Sequence, residues 1–142
     1  VARWHREALV TPIWEGTSNI QALDMLEVMQ KKAAHESFLD EFIPLLERVG
    51  TPEARAARDS LEQTLEDIVQ RKPQEVQWYS KDYLNRFADA AQTALLYSLA
   101  ESSGERYARL ATLFAQRFIF GEPYPSWALE DHSIWFPIEL SD

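Results

Sequence analysis

A carboxylate beside a glycine at the start of a helix is the arrangement in this chain best suited to chemistry. In the run Thr11-Pro12-Ile13-Trp14-Glu15-Gly16-Thr17-Ser18-Asn19-Ile20-Gln21-Ala22-Leu23-Asp24, Glu15 is a proton acceptor of the kind that general-base catalysis uses. Gly16, lacking a side chain, lets a substrate approach the adjoining backbone. Ser18 followed by Gln21 has the spacing of a capping box, in which a hydroxyl and an amide side chain satisfy exposed N–H groups at a helix start. Such a start also suits phosphate oxygens, because its free N–H groups and the helix dipole favour negative charge. The same dipole favours the ionised form of Glu15, whereas an apolar pocket flanked by Ile13 and Trp14 favours the protonated form.

The other candidate constellations are poorer. His5, His35 and His132 lack metal-ligand spacing with one another or with carboxylates. Asp131-His132-Ser133 holds the residue types of a catalytic triad, yet neighbours in sequence do not form the spatial relay a nucleophile needs. The chain has no phosphate-binding glycine loop and no cysteine, so thiolate chemistry, disulfides and paired-cysteine metal sites are excluded.

Elements able to position Glu15 must come from a small chain. A length of 142 residues accommodates one compact core and not two ordinary domains. An apolar fraction of 46%, rich in aromatics, can bury that core, and only four glycines disfavour a turn-rich β fold. The net charge of −9 opposes binding to nucleic acid or an anionic membrane. Arg55, Arg58, Arg106, Arg109 and Arg117 are interleaved with acidic and apolar residues, which reads as solvated helix faces. No apolar run is long enough to span a bilayer and no signal core opens the chain, so the default expectation is cytoplasmic.

Periodicity predicts an all-α, up-and-down helical bundle. Residues 1 to about 9 read as the last turns of a helix, with Val1, Trp4 and Ala8 on one side and Pro12 stopping it. A helix follows from about Ser18 to Ala34, then one from about Glu36 to Val49 that Pro44 should kink or divide. Gly50-Thr51-Pro52 ends it, and Ala54, Ala57, Leu61, Leu65 and Ile68 draw the stripe of a helix over Pro52 to Gln70. Pro73 breaks that pattern. Leu84, Phe87, Ala91, Leu95 and Leu99 mark a long helix over about Ser80 to Ser102, where Ala88, Ala90, Ala91 and Ala94 permit close contact. After Ser103-Gly104, Tyr107, Leu110, Ala111, Phe114 and Phe118 mark a last helix to about Phe120. The tail from Gly121 to Asp142, with three prolines and the aromatics Trp127, Trp135 and Phe136, should be irregular and dock on the bundle, or else in a partner's groove.

The order Trp-Glu-Gly-Thr-Ser-x-Ile-Gln at residues 14–21, preceded by Arg6-Glu7-Ala8, resembles the end of the acyl-CoA dehydrogenase fold. The resemblance is specific over about residues 3–32. It implies a flavoprotein that desaturates an acyl-CoA thioester. Glu15 would take the α proton, while FAD takes the hydride from the β carbon, which no side chain can accept. By the same resemblance Trp14 and Gly16 lie against substrate, and Thr17, Ser18 and Asn19 match positions that contact the flavin's phosphate or adenosine portion. Trp14 stands where many members have Tyr, and about a hundred residues follow the motif helix where many members end. Both features are similar to a bacterial subgroup with a C-terminal helical extension, related to the adaptive-response flavoprotein AidB.

The resemblance divides the chain into residues 1–34, the end of the dehydrogenase helical domain, and residues 35–142, the extension with its docked tail. The opening Val1-Ala2-Arg3-Trp4 reads as a segment cut from a larger protein whose flavin β-domain and N-terminal helices lie upstream. On that reading the 142 residues alone are inactive, and the parent assembles as a homo-oligomer. The alternative is a non-catalytic helical interaction or oligomerisation module.

Overall fold

The computed structural model describes residues 17–135, and each helix in it starts and stops for a local reason. Helix α1 (Ser18–Lys32) ends where Ala33 turns into the left-handed region (φ 50°, ψ 34°), its N–H returning to the carbonyls of Met29 and Val28. Helix α2 (Ala34–Val49) follows at once and is ended by Gly50 at φ 64°, a conformation glycine adopts without steric cost. Helix α3 (Pro52–Gln70) starts with Pro52 in its first turn and with the Thr51 hydroxyl accepting the Ala54 N–H at 3.2 Å. These bounds match the expected ones closely.

Two prolines behave differently from expectation. Pro44 lies inside α2 and does not divide it. The carbonyl that loses its partner belongs to Asp40, and both Asp40 and Pro44 face solvent, where water can satisfy it. Pro73 does end the α3 pattern, but it also opens a six-residue helix, α4 (Pro73–Trp78), in which Glu75 accepts the Lys72 N–H at 3.2 Å.

Helix α5 (Ser80–Ser103) is the axis, packed against α1, α2, α3, α4 and α6 (Glu105–Phe118). Arg48 at the end of α2 donates to Glu101 near the end of α5 at 2.9 and 2.8 Å, so these two helices run parallel. Tyr97 reaches Glu53 at 3.3 Å and Tyr83 reaches Asp67 at 3.4 Å, which sets α3 antiparallel to α5. Helix α6 turns back through Gly104 and brings Thr112 to Tyr97 at 3.2 Å. The later half of α1, at Met25 and Met29, lies against the first half of α5, at Leu84 and Phe87. The bundle is all-α and up-and-down.

The core is built on small residues. Ala54 and Ala57 of α3, Ala90 and Ala94 of α5, and Ala111 of α6 are fully buried, with Leu46, Leu61, Phe87 and Tyr97 filling the space beside them. Ala88, expected at a close contact, is exposed and borders the apolar cleft beside α1 and α2 instead. Phe38 stacks on Phe42 (4.5 Å between centroids) and meets Phe87 edge-on (5.1 Å). Two buried hydroxyls cost little, because Thr64 and Thr93 donate to the carbonyls of Ser60 and Asp89 at 2.7 and 2.8 Å.

The described part of the tail docks through small and aliphatic residues, while its aromatics Tyr124 and Trp127 stay partly exposed. It carries two short helices, α7 (Ser126–Glu130) and α8 (His132–Trp135), within an otherwise irregular run. Ala128 and Ile134 are buried against Leu113 of α6, forming a satellite cluster apart from the main core.

Ala33 is the only non-glycine residue with positive φ among those described. Left-handed backbone costs a residue with a Cβ about 1–2 kcal/mol, and glycine gives part of that relief back through a more disordered unfolded chain. Ala33→Gly is therefore expected to raise stability by up to about 1 kcal/mol in urea titration; a loss would show that the Ala33 methyl contributes more than its backbone costs.

Candidate functional site

Of the residues with expected roles, Thr17, Ser18 and Asn19 are described and form the start of α1. Trp14, Glu15 and Gly16 lie outside the described residues, as does the helix expected over residues 1–9. Thr17 is the residue that precedes the first helical turn, in extended backbone (φ −65°, ψ 157°), and its carbonyl accepts the N–H groups of Ile20 and Gln21 at 2.9 and 3.1 Å. The expected capping box does not form, because the helix begins one residue earlier than that pairing needs. Ser18 is already the first helical residue, and the Thr17 side chain makes no cap hydrogen bond.

The first turn of α1 contains no acidic residue, while Lys31 and Lys32 sit in its last turn. Negative charge at the start is therefore supplied by no side chain of that turn, and the positive end of the dipole favours an anion there. The donors gathered there are the first backbone N–H groups, the hydroxyls of Thr17 and Ser18, and the amide of Asn19. Thr17 and Asn19 are exposed, and Ser18 is half-buried. That donor set fits phosphate oxygens, and so fits the phosphate portion of a flavin nucleotide.

Two apolar clefts flank the other end of α1. One, of about 360 Å³, is lined by Leu26, Met29, Leu65, Ile68 and Val76; the other, of about 350 Å³, by Met25, Val28, Phe38, Leu84 and Phe87. His35 borders both, and its Nδ1 is buried with no hydrogen-bond partner among the described residues. Sequence spacing gave no sign of this position, since the residues that line these clefts with His35 come from helices far apart in the chain. Among the described residues no group of three or more His, Asp or Glu side chains could hold a metal ion.

Asp131 and Ser133 perform structural work. The Asp131 carboxylate accepts the Ser133 N–H at 3.1 Å and the Ser133 hydroxyl, and it pairs with Arg109 of α6. Ser133 is thereby a donor that organises the turn. This contact, 22 residues apart in sequence, has no local signature that could have announced it.

No protein-family model matches the chain, and no curated protein or solved structure matches it.

The Ser133 hydroxyl, and after it Arg109, hold the Asp131 carboxyl below the usual carboxylate range. A carboxylate lowered in the folded state contributes stability that is present above its unfolded pKa of about 3.9 and is lost as pH falls through the lower folded value. Carboxyl NMR titration is expected to place Asp131 below about 3.9, with Ser133→Ala moving it back up; a midpoint that Ser133→Ala leaves unmoved would remove the hydroxyl as the cause.

Proposed function

We propose that this chain is the C-terminal part of a flavin-dependent acyl-CoA dehydrogenase-like protein of the subgroup with a helical extension. The observation that carries the reading is the run Trp14-Glu15-Gly16-Thr17-Ser18-Asn19-Ile20-Gln21 ending in a helix start with no acidic side chain in its first turn. Thr17, Ser18 and Asn19 would hold the phosphate or adenosine portion of FAD through those donors. A bound flavin supplies the hydride acceptor that acyl thioester desaturation needs.

Glu15 would remove the proton α to the thioester carbonyl, and an ionised carboxylate is required for that step. Trp14 and Gly16 would flank the acyl substrate, the first as an apolar wall and the second by leaving room at the backbone. The flavin β-domain and the N-terminal helices belong to the rest of such a protein, so the 142 residues alone would not turn over acyl-CoA. A cytoplasmic, homo-oligomeric enzyme fits this reading, and no helix among the described residues is long and apolar enough to cross a membrane.

One observation favours a second reading, a non-catalytic helical interaction or oligomerisation module. Ile20, Leu23, Leu95, Leu99 and Phe118 each keep between 44% and 51% of their surface exposed, large apolar surface that packing among the described residues leaves uncovered. The readings part at Glu15, which only the enzyme needs.

In the protein that contains this chain, Glu15→Gln is expected to abolish acyl-CoA-dependent dye reduction while leaving flavin bound, because the amide keeps the carboxylate's shape without its basicity. Unchanged turnover would reject Glu15 as the base. A parent protein that holds no flavin would reject the enzyme reading altogether.

A further inference from the structure

We propose that residues 121–135 form a strap that opens from α6 while the long helices stay folded, and that its opening bares an apolar face of the bundle. The main core joins α2, α3, α5 and α6 through Leu46, Leu61, Phe87 and the buried alanines, whereas the strap buries Ala128 and Ile134 in a separate cluster with Leu113 and the half-buried Leu110. A segment with its own small cluster, and little apolar area in it, is the kind of unit that opens sub-globally.

Two guanidinium groups one helical turn apart on α6 hold the strap. Arg106 Nε donates to the Ile134 carbonyl at 2.9 Å, and Arg109 pairs with Asp131 while lying 5.4 Å from the centroid of the Trp127 ring. The Arg109 and Asp131 side chains remain 38% and 28% exposed, so water competes for both and the latch is weak. Leu129 is 69% exposed and Trp127 42%, which leaves part of the strap's own apolar surface uncommitted to the bundle. Gly121, at φ 72°, makes the turn that leads into it, and the Glu122 N–H fastens that turn to the Gln116 carbonyl at 2.8 Å.

The face beneath is apolar. Tyr124 of the strap closes a cleft lined by Leu96, Leu110, Leu113 and Phe114, and Phe114 continues into half-exposed Phe118 with 4.6 Å between ring centroids. In the closed state the strap is the occupant of this face. In the open state these residues form one contiguous apolar surface across α5 and α6.

Hydrogen exchange on the intact 142-residue chain tests the proposal. The reporters are the amides of Ala128, Asp131 and Ile134, which bond to the carbonyls of Pro125, Trp127 and Asp131, set against the amides of α5. The strap amides are expected to be protected, yet to exchange about 100-fold faster than those of α5. Asp131→Ala is expected to accelerate the strap by about a further tenfold and leave α5 unchanged. Strap and α5 exchanging together in the unmodified chain would overturn the proposal, as would strap amides with no protection. A uniform acceleration in Asp131→Ala, or its failure to fold, would also overturn it, because the strap would then be integral to the core.

Discussion

The close approach of α3 and α6 to α5 is the constraint on which the remaining structure depends. It exists because Ala54, Ala57, Ala90, Ala94 and Ala111 present methyl groups where larger side chains would hold the helices apart. A core lined this way gains stability from dense dispersion contact more than from the area of any one residue, and it tolerates added volume poorly. The larger residues then have defined places. Leu46 and Leu61 fill the space between α2 and α3, and Phe87 receives the Phe38 edge from α2. Tyr97 is buried because its hydroxyl finds Glu53 and Thr112, so its polar end is satisfied at the rim of the core.

Helix α1, which carries the candidate site at its start, is positioned by this axis. Ala22 is fully buried, and Met25 and Met29 pack on the core cluster, so the helix is fixed from its second turn onward. Its far end is pinned by Ala33, whose left-handed backbone joins α1 to α2 without an intervening loop. The start at Thr17 consequently belongs to a fixed helix, with its backbone donors organised before any anion arrives. Preorganisation of this kind lowers the ordering cost of binding a phosphate group. The strap lies against α6.

Much of the fold was legible in the sequence because its signals are local. Thr51-Pro52 announces a helix start, and the stripe from Ala54 to Ile68 continues without interruption, so both ends of α3 could be read directly. Pro44 was harder, since its effect depends on whether the carbonyl of Asp40 meets water or protein, which is a tertiary fact. Helix α4 escaped because six residues are too few to show a period. The pairing of Ser18 with Gln21 matched a capping box in spacing, but the backbone of Thr17 claimed the position that precedes the helix. For the site, the helix start at Thr17, Ser18 and Asn19 was legible, whereas His35 and the Arg109–Asp131 latch were not, because they arise from residues far apart in the chain.

The measurement that bears most directly on the alanine-packed axis is a pair of identical substitutions on α5, read by urea unfolding. Ala94 is fully buried, whereas Ala88 of the same helix is exposed at the edge of an open cleft with room for a larger side chain. Ala94→Leu is expected to lower stability by about 1–3 kcal/mol through overpacking, and Ala88→Leu to change it by no more than about 0.5 kcal/mol. Equal effects at the two positions would mean that close approach at Ala94 does not control the bundle, and would contradict the account.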